Sequence, residues 1–176
     1  MTRIRAHRVV VGVDETPGSR AALTFAMCEA ALRGSVLDVI TAWTLTEEDH
    51  IAPGDDVRGH EMPERARRRA QQIQDRAVAL TLQDIDARPL LSRQVLEGDA
   101  GKVLLRVARD AASLVVGSST SEPLLPASLG SVRDYCVRHA TCEVVVVQTP
   151  ARRTGTHDAE GAHDASRQRT TSRSLP

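Results

Sequence analysis

The stretch Arg8-Val-Val-Val-Gly-Val-Asp-Glu-Thr-Pro-Gly-Ser19 decides the fold. Its first half is a short β-branched run reaching Gly12 and Val13, the pattern of a buried strand. Its second half, from Asp14 through Thr16, Pro17 and Gly18, turns the chain, and Ser19 is placed to cap a helix. A continuously apolar strand that runs straight into a helix belongs to a sheet covered on both faces.

Working outward, aliphatic runs recur at Val36 to Ala42, Leu114 to Gly117 and Val144 to Val147, each bounded by Gly, Pro, Ser or Asp. The segment from Pro89 to Val95 is more mixed in polarity, which fits a strand nearer the sheet edge. Between the runs lie helical periods. Leu23, Ala26, Met27 and Ala30 form the first, closed by Gly34; Ala66, Ala70, Ile73, Ala77 and Leu80 form the second, with Pro63 at its start. Asp99 caps a third helix running through Val103, Val107 and Ala111. A fourth starts near Ser128 and carries Val132, Tyr135 and Cys136 inward. Strictly alternating strands and helices predict an α/β domain with a parallel sheet and right-handed crossovers.

Composition narrows the function. At 176 residues the chain accommodates one well-buried domain, expected over residues 1–150. Aromatics are only 2%, so there is no stacking platform for single-stranded bases, and a formal net charge of zero gives nucleic acid no electrostatic support. Lys102 is the only lysine. The three cysteines, Cys28, Cys136 and Cys142, form no CxxC pair, which indicates neither a disulfide framework nor a zinc site and fits a reducing cytoplasm. The N-terminal apolar run is too brief for a signal peptide or a membrane span, so a soluble protein is expected. Thr46 to Glu61, rich in Glu and Asp among Pro53, Gly54 and Gly59, reads as a mobile acidic loop. Ala151 to Pro176 has no apolar period and reads as a disordered tail.

In a doubly wound sheet, ligands bind beyond the carboxyl ends of the strands where the winding reverses. The first and fourth strands are expected to meet there. The first ends in Gly12-Val-Asp-Glu-Thr-Pro-Gly-Ser19; the fourth ends in Val116-Gly-Ser-Ser-Thr120 and leads to Gly130-Ser-Val132 at a helix start. Such a loop turns backbone N–H groups toward phosphate oxygens, aided by the helix N-terminus and the Ser131 hydroxyl. Ser118, Ser119, Thr120 and Ser121 offer further hydroxyl donors, against which Glu122 opposes phosphate charge.

Over residues 7 to 149 the sequence resembles the universal stress protein family. The resemblance is carried by the opening Val9-Val-Val-Gly-Val-Asp-Glu-Thr-Pro-Gly-Ser-Arg-Ala-Ala-Leu23, by Thr41-Ala-Trp43, by Val95-Leu-Glu-Gly-Asp99, and by Leu129-Gly-Ser-Val132 with His139-Ala-Thr-Cys142. It implies a five-stranded sheet of order 3-2-1-4-5 with helices on both faces, Rossmann-like in character. The nucleotide-binding branch carries Gly, two residues, Gly, nine residues, then Gly followed by Ser or Thr. Gly117, Gly130 and Ser131 fill that pattern with the intervals intact.

The resemblance further implies that Val13, Asp14 and the backbone near Ala42 contact adenine and ribose. It puts Val116, Gly117, Thr120, Gly130, Ser131 and Val132 around the phosphates of ATP or another adenine nucleotide, with Mg2+ carried by the nucleotide. Also by resemblance, a homodimer through the last strand, Glu143 to Gln148, is expected, with a regulatory protein partner whose identity the sequence does not give.

One departure defines a rival reading. Thr120 stands where the motif has its middle glycine; a β-branched residue disfavours positive φ and puts a side chain where phosphate would approach bare backbone. The rival is a stress protein of the same fold that binds no nucleotide and acts as a protein-interaction module. The remaining signals are weaker. His139 and Cys142 are too few for zinc, Asp55 and Asp56 read as solvated loop acids, and Arg65 with Arg67 to Arg69 read as the wet face of the second helix. Gly101-Lys102 lacks the flanking residues of a phosphate loop, and no nucleophile with a base is found, so a metabolic enzyme is not expected. Slow ATP hydrolysis or self-phosphorylation at Ser131 is left open by the resemblance alone.

Overall fold

The computed structural model describes residues 8–45, 61–119 and 132–149, with the side chains of Glu61 and Ser119 excepted. Five strands alternate with four helices: β1 (Arg8–Gly12), α1 (Pro17–Arg33), β2 (Val36–Trp43), α2 (Glu61–Asp84), β3 (Leu90–Glu97), α3 (Ala100–Ala108), β4 (Ser113–Ser119), α4 (Val132–His139) and β5 (Glu143–Thr149). All pairings are parallel and the strand order is β3-β2-β1-β4-β5, as the resemblance implied. Most of the acidic stretch after β2, the segment 120–131 and the expected tail lie outside the described residues.

The central strands are apolar on both sides because each side meets a helix layer. Val9, Val11, Leu37, Val39 and Val115 pack with Leu23, Ala26 and Met27 of α1. The alternate residues Val10, Ile40, Leu114 and Val116 pack with Val103 and Leu104 of α3 and Cys136 of α4. The period of two along each strand thus fills two separate cores. With so few aromatics, both are built from Val, Leu, Ile and Ala. Burying such side chains contributes roughly 1.5–3 kcal/mol each for the larger ones.

Local chemistry explains the ends of α1. Its N-cap is Thr16, whose Oγ1 accepts from Ser19 N–H at 3.2 Å, followed by Pro17 in the first turn. Ser19 was the expected cap; it lies inside the helix instead, because Pro17 pre-sets the first helical φ and draws the boundary upstream. Gly34 closes the helix at φ 61°, a left-handed position where only glycine avoids a steric cost.

Helix α2 departs further from expectation. It begins at Glu61, before Pro63. Ala66, Ala70, Gln74, Val78 and Thr81 are its buried residues, whereas Ile73, Ala77 and Leu80 are only half-buried. Of the two polar residues on this buried stripe, Gln74 has partners there. Its Nε2 reaches the carbonyls of Val39 at 3.1 Å and Gln94 at 3.0 Å, and Thr41 Oγ1 at 3.2 Å. Helix α3 is capped by Asp99, as expected, and ends at Ala108, so Ala111 is buried in the following turn. In α4, Cys136 is buried but Val132 is 41% exposed, contrary to the inward position expected for it.

At the start of the sheet, Arg8 Nε lies 2.9 Å from the Asp38 carboxylate, and Arg8 Nη2 donates to the Val107 carbonyl at 2.5 Å. The Asp38 side chain is only 7% exposed, so this ion pair joins β1 to β2 from within the layer of side chains.

Candidate functional site

The site is assembled where β1 and β4 end side by side and their helices leave on opposite faces. Asp14 lies in the turn between β1 and α1. One of its carboxylate oxygens, Oδ1, accepts from Thr16 N–H at 2.8 Å and from Thr16 Oγ1 at 2.6 Å. Ser19 locks the same turn: its hydroxyl accepts from Asp14 N–H at 3.1 Å and donates to the Asp14 carbonyl at 2.9 Å. The carboxylate is therefore held in one orientation by its own turn, with Asp14 exposed to solvent. The Val13 N–H donates to the Ile40 carbonyl at 2.9 Å, extending the sheet one residue beyond β1.

Gly117 is required by packing. A Cβ placed on it would lie 2.2 Å from the Gly18 carbonyl carbon and oxygen and 2.5 Å from the Ser19 nitrogen. The backbone of β4 and the first turn of α1 thus touch directly, and Gly18 contributes from the other side, with only 3.0–3.3 Å to the Ser118 backbone. The motif glycine has a structural reason for being there before any ligand is considered.

Across the gap, α4 brings a residue that the motif did not mark. Arg133 Nη1 donates to Ser118 Oγ at 2.5 Å, and its Nε donates to Asp134 Oδ1 at 2.8 Å. The side chain is 26% exposed, so a guanidinium stands at the rim of the cleft in a partly desolvated setting. The signal was present in the sequence as an arginine one position into a helix whose start faces the expected anion site; it was passed over because the motif ends at Val132.

These pieces enclose a cavity of about 100 Å³ lined by Gly12, Val13, Asp14, Thr16, Ser19, Ile40, Ala42, Ala100, Leu104, Val116, Gly117, Val132 and Arg133. Six of the expected site residues, Val13, Asp14, Ala42, Val116, Gly117 and Val132, are brought together around it. Thr120, Gly130 and Ser131 lie outside the described residues. The volume is below the roughly 300–1,000 Å³ of pockets that hold drug-sized ligands. The arrangement offers a fixed carboxylate on one wall, a guanidinium on the other and apolar side chains between them.

Near this cleft, burial pushes the Cys136 thiol up to about 11 from an ordinary 9.0, with Cys142 and Asp99 adding to the effect. The His139 ring packs at a tilt against Tyr135 with centroids 4.6 Å apart, which gives the helix-end histidine a packing role. Among the described residues no helix is long and apolar enough to cross a membrane.

Comparison with known proteins agrees with this fold. The model of the "Universal stress protein family" matches residues 5–148. A universal stress protein family structure from Burkholderia pseudomallei superposes with a TM-score of 0.58 at 21% identity, covering 82% of this chain and 97% of that one. One from Archaeoglobus fulgidus, in complex with dAMP, gives 0.55 at 19% identity, covering 82% and 99%. One from Arabidopsis thaliana, with AMP bound, gives 0.54 at 16% identity, covering 88% and 99%. No curated protein matches the chain. At these identities the structures establish the fold, and the family model supplies the membership. A β3-β2-β1-β4-β5 sheet with its cleft at the β1–β4 switch point, matched over residues 5–148, makes this chain a member of the universal stress protein family.

Proposed function

We propose that this protein binds an adenine nucleotide in the cleft between β1 and β4, and that occupancy of the cleft governs its choice of partner in a stress response. The observation that carries the reading is the convergence of Asp14, Gly117, Val132 and Arg133 on one cavity at the switch point. In this proposal Val13, Asp14 and Ala42 face the base and ribose. The Asp14 carboxylate is already oriented by Thr16 and offers an acceptor to a sugar hydroxyl. Val116, Gly117, Val132 and Arg133 border the phosphates, joined through the motif by Thr120, Gly130 and Ser131. Arg133 provides the positive charge that the motif glycines lack. ATP, AMP and cyclic forms are all candidates, and any Mg2+ comes with the nucleotide.

The role is that of a cytoplasmic binding module, not a metabolic enzyme, assembled as a homodimer through β5. That strand forms a sheet edge, as the sequence anticipated, and carries Val144 to Val147. Structures of relatives with AMP and dAMP support the ligand class.

The decisive experiment is mass spectrometry of small molecules released when freshly purified protein is denatured, followed by calorimetric titration with AMP and ATP. An adenine nucleotide in the released fraction, and an affinity lost in Asp14→Ala, are the expected results. Absence of both rejects the reading.

The rival interaction-module reading has two observations in its favour: the cavity is small, and Gly117 is explained by its contact with Gly18. Thr120→Gly separates the two. Affinity that appears only in this variant assigns the natural protein to the rival.

A further inference from the structure

Ile73, Ala77 and Leu80, part of the apolar period read for α2, look sideways toward α1, and a second cavity opens there. It measures about 1080 Å³, the upper end of what ligand pockets reach. Its apolar lining from α1 includes Phe25, the chain's only phenylalanine, left 40% exposed on a helix surface. An uncovered aromatic facing an apolar helix stripe marks a surface that gains from being covered.

Three arginines, Arg20, Arg69 and Arg76, and two acids, Asp14 and Glu15, line the groove. Arg20 is held by Asp84 at 2.6 Å, and Arg69 approaches Glu15 at 3.9 Å. Asp14, which also lines the groove, has one carboxylate oxygen committed to Thr16. Arg76 has no hydrogen-bond or ion-pair partner among the described residues. It stands one helical turn from both Ile73 and Leu80, so its guanidinium borders apolar surface on either side.

We propose that the groove between α1 and α2 is a second binding site, for an amphipathic carboxylate whose apolar tail lies against Phe25, Ile73, Ala77 and Leu80 and whose head pairs with Arg76. A neutral apolar molecule would leave Arg76 unused, and a cationic head placed against these apolar residues would meet the Arg76 guanidinium. A carboxylate matches the Arg76 charge, unpaired among the described residues, and the planar fork of its guanidinium. The inference does not rest on nucleotide binding, since none of these four apolar residues lines the switch-point cleft.

The test is calorimetric titration of the full chain with dodecanoate below its micellar concentration. Dodecyltrimethylammonium serves as the charge-reversed control and adenosine as a competitor. Saturable one-to-one binding of dodecanoate alone is expected. Arg76→Ala should weaken it on the order of tenfold, the loss of one charge-assisted contact, and Arg76→Lys should restore part of that. Thr24→Trp, which fills the groove from the α1 side, should abolish binding while the circular dichroism melt stays cooperative. Absence of dodecanoate binding, equal binding of the cationic amphiphile, insensitivity to both Arg76→Ala and Thr24→Trp, or displacement by adenosine that grows without limit with its concentration, as for one shared site, would each overturn the proposal.

Discussion

Arg133 Nη1 donates to Ser118 Oγ at 2.5 Å, tying the first turn of α4 to the end of β4 across the mouth of the cleft. A guanidinium in that place has two possible duties, holding the wall or meeting an anion, and they are separable. Arg133→Ala is expected to weaken AMP on the order of tenfold while leaving adenosine unchanged, since only AMP brings a phosphate. Equal loss for the two ligands in calorimetry would make Arg133 a structural strut.

The contact between Gly18 and Gly117 predicts a large cost for a single methyl group. In Gly117→Ala the new carbon would stand 2.2 Å from the Gly18 carbonyl, so α1 must move off β4. Overpacking against backbone costs about 3 kcal/mol, which for a chain of this size lowers Tm by roughly 6–12 °C. Gly18→Ala, with 3.0 Å to spare, should cost clearly less. A thermal melt of Gly117→Ala that matches the parent would refute the contact.

Asp38→Ala removes the carboxylate that meets Arg8 inside the sheet. Breaking a buried pair costs roughly 3–5 kcal/mol, but the Arg8 side chain is 37% exposed, so water shares its charge and about 2 kcal/mol is expected. Urea unfolding measures it. The double variant Arg8→Met with Asp38→Leu should recover most of the loss, because no charge is then stranded.

The raised thiol of Cys136 makes a prediction for pH. The protonated form is favoured in the folded state, so its contribution is complete below 9.0, the ordinary value that the unfolded chain keeps, and fades as pH rises from there to about 11. Stability should therefore fall across that alkaline window, and Cys136→Ala should flatten that part of the curve. At pH 8 a thiol reagent should modify the half-buried Cys28 and Cys142 first and reach Cys136 only on unfolding.

The alternation of strands and helices was legible because periodicity reports burial directly, whereas the strand order came with the family resemblance and the place of the cleft with the switch-point rule. Val9 to Val11 and Val144 to Val147 have no polar alternation, and only a sheet covered on both sides explains that. The sequence was misleading wherever a polar residue is buried or an apolar one is left out. Gln74 and Thr81 carry no hydrophobic signal, so the apolar period of α2 was read through Ala66, Ala70, Ile73, Ala77 and Leu80, of which only Ala66 and Ala70 are buried. The Arg8–Asp38 pair joins residues 30 apart that only the register of β1 and β2 brings together. Arg133 belonged to no motif, and its role depends on where Ser118 ends up. Asp14, by contrast, was readable, since an Asx turn with Thr16 is a local property of the chain.

Asp14 and Thr16 line both cavities, the small cleft at the switch point and the long groove between α1 and α2. They form a partition two residues thick between neighbouring chambers. A guest in either chamber would therefore be bounded by the same hydrogen-bonded turn. By thermodynamic linkage, whatever factor a guest in one imposes on the affinity of the other is returned in equal measure.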